Sequence, residues 1–97
     1  MRVRFTPRAT LEVREIAAYV RAHNPAAATR VRAAILRSVQ RLAAFPELGR
    51  IQAEEGVRKL VTRPYPYIVY YTVARMEGEV IIFSIQHGAR ACEDARS

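Results

Sequence analysis

Residues 19–35 read Tyr19-Val20-Arg21-Ala22-His23-Asn24-Pro25-Ala26-Ala27-Ala28-Thr29-Arg30-Val31-Arg32-Ala33-Ala34-Ile35. Two amphipathic runs meet here with almost no residues between them. Asn24 offers a short side-chain oxygen that can cap the free N–H groups of a helix start. Pro25 suits the first helical position, where no N–H is needed. Downstream, Ala28, Val31, Ile35, Val39 and Leu42 recur at helical spacing and form one apolar stripe. Upstream, Ala9, Val13, Ile16, Ala17 and Val20 do the same, and Thr6-Pro7 repeats the capping punctuation. The spacing predicts a first helix from Pro7 to about His23 and a second from Pro25, joined as a tight hairpin.

Outward from the hairpin the pattern changes period. Val3 to Thr6 alternates and is rich in β-formers, which predicts a short first strand. Phe45-Pro46-Glu47-Leu48-Gly49-Arg50 ends the second helix, because Pro46 cannot continue it and Gly49 permits a turn. Ile51 to Gly56 reads as polar and irregular. Val57 to Thr62 reads as a strand, and so does Tyr67 to Ala74, with Tyr67, Val69, Tyr71 and Val73 on one face. Pro64 and Pro66 flank Tyr65 and hold that connection out of the ladder. Glu77-Gly78 supplies a turn, and Val80 to Ile85 is the last strand. Its unbroken apolar run predicts burial on both faces or a central place in the sheet.

The predicted fold class is α+β. An N-terminal strand, a two-helix hairpin and three antiparallel strands follow one another in the order β-α-α-β-β-β. The helices should cover one face of a four-stranded sheet and leave the other partly open. Val13, Ile16, Val20, Val31, Ile35 and Leu42 are the expected helical core, with Leu11 and Ala18 on the outer face of the first helix. The 97 residues are one domain's worth of chain; a domain of this size buries roughly 65% of its unfolded surface. Gly88 to Ser97 is expected to be a short frayed tail.

Charge narrows the partners. Sixteen Lys plus Arg oppose nine Asp plus Glu, a formal net charge of +7. Lys59 is the only lysine, so nearly all of this charge sits on planar guanidinium forks suited to carboxylates and phosphates. Nucleic acid or an acidic protein surface is the natural partner, with a membrane surface third. Arg30, Arg37 and Arg41 lie within about 40° of one another on the outer face of the second helix. They form a row that could meet an acidic partner, though such a row is more often simply a solvated helix face. Cys92 is the single cysteine, so no internal disulfide exists. No zinc ligand set, other metal site or cofactor motif is present. The N-terminus lacks the long apolar region of a secretory leader, and no apolar run approaches the ~20 residues of a membrane helix. The expected setting is a reducing cytoplasm.

Catalytic signatures are scarce. Serine occurs only at Ser38, Ser84 and Ser97, and there is no Gly-rich phosphate loop or nucleophile elbow. The informative residues are Arg58, then Arg63, Tyr65 and Tyr67 where one strand turns into the next, and His87 and Arg90 after the last strand. If the strands pair as hairpins, Arg58, His87 and Arg90 could share one rim. That set could hold a phosphate or carboxylate. His87 could also serve as general acid in RNA cleavage, with the arginines stabilising the phosphorane. The plainer readings stand beside these. Tyr67 and Tyr71 alternate with valines as packing residues do, His87 continues the apolar register of Ile81, Phe83 and Ile85, and Arg58 could pair with Glu54 or Glu55.

Several segments together resemble a known family. They are Val3-Arg4-Phe5-Thr6-Pro7-Arg8-Ala9, Ile16-Ala17-Ala18-Tyr19-Val20 with Asn24-Pro25-Ala26-Ala27-Ala28, and Leu42-Ala43-Ala44-Phe45-Pro46-Glu47-Leu48-Gly49-Arg50. Val57-Arg58-Lys59-Leu60-Val61, Tyr65-Pro66-Tyr67-Ile68-Val69-Tyr70-Tyr71 and His87-Gly88-Ala89-Arg90 complete the set. In this order, over nearly the whole chain, they are similar to the RelE/ParE toxin superfamily and its ParE-like branch in particular. The resemblance implies a type II toxin–antitoxin system. The chain would be silenced in a hetero-oligomer by a cognate ParD-like antitoxin whose acidic helical segment suits a +7 surface. It also implies DNA gyrase as target for the ParE branch, against mRNA cleavage in the ribosome for the RelE branch. Strands 67–74 and 80–85 lack the arginines that RelE-like nucleases often carry, which favours a binding poison without sequence-specific nucleic-acid recognition. The alternatives are a ribosome-dependent endoribonuclease using His87, Arg58 and Arg90, and a decayed toxin that keeps only antitoxin binding.

Overall fold

The computed structural model describes residues 1–63 and 65–88. Strand β1 (Arg2–Phe5) leads into helices α1 (Pro7–His23) and α2 (Pro25–Ala44). Strands β2 (Arg50–Ile51), β3 (Val57–Val61), β4 (Tyr67–Ala74) and β5 (Glu79–His87) follow. Both helix starts are capped as the sequence predicts. Thr6 Oγ1 accepts from the Ala9 N–H and Asn24 Oδ1 from the Ala27 N–H, each at 3.2 Å. Asn24 also donates its backbone N–H to the Val20 carbonyl at 2.7 Å. One residue therefore closes α1 and opens α2, and the hairpin needs no loop.

The sheet order is β1-β5-β4-β3-β2. β1 runs parallel to β5, and the other pairs are antiparallel. The expected α+β architecture is present, with five strands in place of four. Arg50 pairs with Lys59 and Ile51 with Arg58, so a two-residue strand straddles the start of the stretch read as irregular. Two residues carry no alternation signal; the partner strand alone creates this one. The apolar run in β5 earns its central place between β1 and β4.

β5 also departs from its predicted register. Tyr70 faces Ser84 but Tyr71 faces Ile82, so Phe83 is an extra residue in the ladder. A bulge of this kind switches the side-chain parity of everything after it. Val80 and Ile82 face the helices before the bulge, and Ile85 faces them after it. His87, paired with Tyr67, follows Ile85. The expectation that His87 shares a face with Ile81 and Phe83 is therefore wrong. Phe83 instead stacks on Tyr70 over the open side of the sheet, with ring centroids 6.4 Å apart.

The core lies between α2 and the inner face of β4 and β5. Val31, Ile35, Val39 and Leu42 pack with Val69, Tyr71, Val80, Ile82 and Ile85. Val13, Ile16 and Val20 of α1 are only partly buried against this cluster. Their stripe was legible, but α1 covers the rim and α2 the centre. Phe83 is the residue the ladder does not need. Deleting it should keep Val80, Ile82, Ile85 and His87 on the helix side and cost about 1 kcal/mol from the lost Tyr70 stack. Thermal unfolding of the deletion variant checks this, and loss of cooperative unfolding would contradict it.

Candidate functional site

Four of the residues singled out in the sequence meet where β4 begins and β5 ends. Tyr67 and His87 are register partners, with perpendicular rings 5.3 Å apart. The Arg30 Nε donates to the Tyr65 hydroxyl at 3.3 Å, which joins α2 to this end of the sheet. The connection itself is tied down. Thr62 Oγ1 donates to the Tyr65 carbonyl and accepts from the Tyr67 N–H, and the Gly88 N–H donates to the Pro66 carbonyl at 2.7 Å. Arg63 is exposed beside them. Pro64 and Arg90 lie outside the described residues, as does the expected tail from residue 89 onward.

A groove of about 830 Å³ opens next to this cluster. Arg8, Glu12, Glu15 and Tyr19 of α1 line one wall; Tyr67, Ile85 and His87 line the other. Its origin is topological. β1 pairs with β5 only as far as Phe5–Ile82, because Thr6-Pro7 turns the chain into α1. Beyond Ile82 that side of β5 has no strand beside it. The Ile85 N–H donates to Glu12 Oε1 at 3.0 Å, and Glu12 Oε2 lies 3.7 Å from Arg8 Nε. Glu12 thus stands in for the missing strand, and the groove is walled by α1 and floored by a sheet edge. An unpaired N–H in this position would cost about 1–3 kcal/mol. The sequence reading did not single out Glu12 or Tyr19. The only signal for Tyr19 was an aromatic beside the apolar stripe, four residues from His23; their rings sit 4.7 Å apart.

Arg58 is elsewhere. It pairs with Tyr71, whereas His87 pairs with Tyr67 on the opposite side of β4. Four residues along a strand and two strand spacings put them about 13 Å apart lengthwise and ~9.6 Å across. Arg58 and His87 therefore do not share the expected rim. The start of β3 aligns with the far end of β4, not with the end of β5. Nor does Arg58 bond to Glu54 or Glu55. Its Nη1 donates to the Gly49 carbonyl at 2.8 Å and to the Glu47 carbonyl at 3.3 Å. Tyr71 holds the same loop, its hydroxyl accepting from the Gly49 N–H and donating to the Pro46 carbonyl, both at 2.8 Å. Gly49 is required here, because an added Cβ would fall 2.6 Å from the Tyr71 hydroxyl.

Burial raises the Tyr67 phenol above its ordinary value. Burial raises Tyr71 too, aided by the Glu47 charge and opposed by the Gly49 N–H and Arg58. Near neutral pH both are neutral hydroxyls, donors rather than bases. A raised folded-state value means that the folded form binds more protons in alkali. The stabilisation is fully present below about pH 10, the unfolded tyrosine value, and is lost as pH rises through the folded value. Alkaline unfolding, followed by circular dichroism, should therefore show a fall above pH ~10. Tyr71→Phe should flatten part of that fall and lower stability near neutrality by about 1–3 kcal/mol.

Of the α2 row, Arg30 turns to Tyr65, while Arg37 and Arg41 are exposed and make no ion pair among the described residues. Among the described residues no group of three or more His, Cys, Asp or Glu side chains could hold a metal. No described helix is long and apolar enough to cross a membrane.

A helical hairpin packed on a five-stranded mixed sheet, with an arginine-rich outer helix, defines a small basic α+β protein. The chain belongs to the ParE toxin family, described as the ParE toxin of the type II toxin-antitoxin system parDE, whose model matches residues 3–92. It is 38% identical over 86 residues to Y4kP of Sinorhizobium fredii, a protein named as a toxin, covering 89% of this chain and 86% of that one. It is 37% identical over 86 residues to Toxin RelE2 of Caulobacter vibrioides, covering 89% and 93%. The fold matches the chromosomal ParDE system of P. aeruginosa with a TM-score of 0.79 at 23% identity, covering 90% of this chain and 95% of that one. The chain is thus a toxin of the ParE/RelE superfamily of type II systems.

Proposed function

We propose that the chain poisons DNA gyrase by binding it, in the cytoplasm, and that a ParD-like antitoxin silences it in a hetero-oligomer. The observation that carries this reading is the separation of Arg58 from His87. RNA cleavage needs an acid, a base and charge stabilisation at one phosphate. Arg58 instead spends its donors on the Gly49 and Glu47 carbonyls, at the other end of β4 from His87. A surface built for binding remains: the α1 groove, Arg63, and the Arg30, Arg37 and Arg41 face of α2. The net charge of +7 suits an acidic partner helix along that face.

Two observations favour the ribosome-dependent nuclease as the second reading. One is the name of the Caulobacter relative, Toxin RelE2. The other is the open sheet face, where the stacked Tyr70 and Phe83 share a hollow with Lys59 and Arg8. Purified protein added to gyrase supercoiling reactions and to ribosomes programmed with mRNA separates the two. The expected result is a supercoiling block with intact mRNA. Cleaved mRNA with unaffected supercoiling, and loss of cleavage in His87→Gln, would establish the nuclease instead. In growing cells, thymidine incorporation should fall before methionine incorporation.

A further inference from the structure

We infer that the loop from Phe45 to Ile51 is a second docking surface, separate from the α1 groove, and that its occupant is a partner segment carrying acidic and apolar side chains together. Three large apolar side chains stand in solvent within seven residues: Phe45 is 64% exposed, Leu48 39% and Ile51 73%. Single exposed apolar residues are ordinary; a cluster on one short segment marks an interaction site. A slack loop would fold such side chains onto the sheet. This one is prevented from doing so. Its backbone is fastened from below by the Tyr71 hydroxyl on Gly49 and Pro46, and by Arg58 on Gly49 and Glu47. Arg75 pairs with the Glu47 side chain from the β4–β5 turn. The cluster is therefore displayed on a rigid support, which lowers the ordering cost of binding.

The surroundings choose the occupant. Arg41 lies one turn before Phe45, Arg50 lies beside Ile51, and Arg75 is bonded to the loop. Glu47, the acidic residue within the loop, is already engaged by Arg75. A second copy of the chain would bring these arginines, and a net +7, against the same charges. An acidic segment with interspersed apolar residues meets both the cations and the apolar cluster. β2 is the edge strand of the sheet, so an extended partner can also pair with Arg50–Ile51 along its free side.

The test is titration of ¹⁵N-labelled protein with a synthetic peptide in which aspartate alternates with leucine, beside the same peptide with lysine for aspartate. The aspartate peptide should shift the amides of residues 45–51 and 75–76, and the lysine peptide should not. The double variant Phe45→Ser/Ile51→Thr removes only exposed side chains and should keep its unfolding temperature while losing affinity at least tenfold. Tyr71→Phe, which leaves the surface chemistry intact, should weaken binding by loosening the support. Shifts confined to the α1 groove, equal binding of both peptides, no binding, or a concentration-dependent dimer abolished by Ile51→Thr would each overturn the assignment. None of these readouts involves gyrase, ribosomes or an antitoxin, so failure here is separate from failure of the toxin mechanism.

Discussion

Strand β5 must satisfy a ladder on one side along its whole length and on the other side for only half of it. A bulge at Phe83 lies where the shorter ladder stops. Before the bulge β5 lies between β1 and β4; after it, the β1 side is empty because Thr6-Pro7 has turned into α1. The parity switch keeps Ile85 in the core while directing its N–H to Glu12. Without that switch Ile85 would face the open side. The groove and its Glu12 wall descend from the early end of β1, and the bulge keeps Ile85 and His87 on the helix side beside them.

A second fixed point is the Tyr71 side chain. Its ring is among the largest fully buried groups, and its hydroxyl still reaches the loop after α2. Buried neutral hydrogen bonds of this kind outweigh the exposed ion pairs nearby. Arg75 and Glu47 are both more than half exposed, and such pairs contribute about 0–1 kcal/mol. The loop is therefore held chiefly from the core, and Arg58 adds to that support. Arg58, which the sequence offers either as a ligand-binding cation or as a structural one, holds this loop. The reason is that Gly49 and Glu47 offer their carbonyls within its reach.

The two ends of the sheet consequently differ in character. One end gathers Arg30, Tyr65, Tyr67 and His87 beside an open groove. The other is closed by the Tyr71 and Arg58 bonds beneath an apolar loop. An arginine face on α2 runs between them, with Arg37 and Arg41 in solvent.

The helical hairpin, its two caps, the inner face of β4 and the central place of β5 were legible in the sequence. Each rests on local signals, either a repeat of 3.6 or 2 residues or a capping pair such as Asn24-Pro25, that need no knowledge of distant chain. The family was legible for a related reason, since its motifs are short and occur in order. What the tertiary structure alone decided is non-local. β2 exists because β3 lies beside it. Phe83 bulges because Ile82 and Ile85, three residues apart, both pack on the helix side against β4. Glu12 and Tyr19 line a groove because α1 lies against an unpaired edge, and Arg58 is parted from His87 by the register of β4. Such facts arise from pairings between residues far apart in sequence, and composition and periodicity carry no record of them.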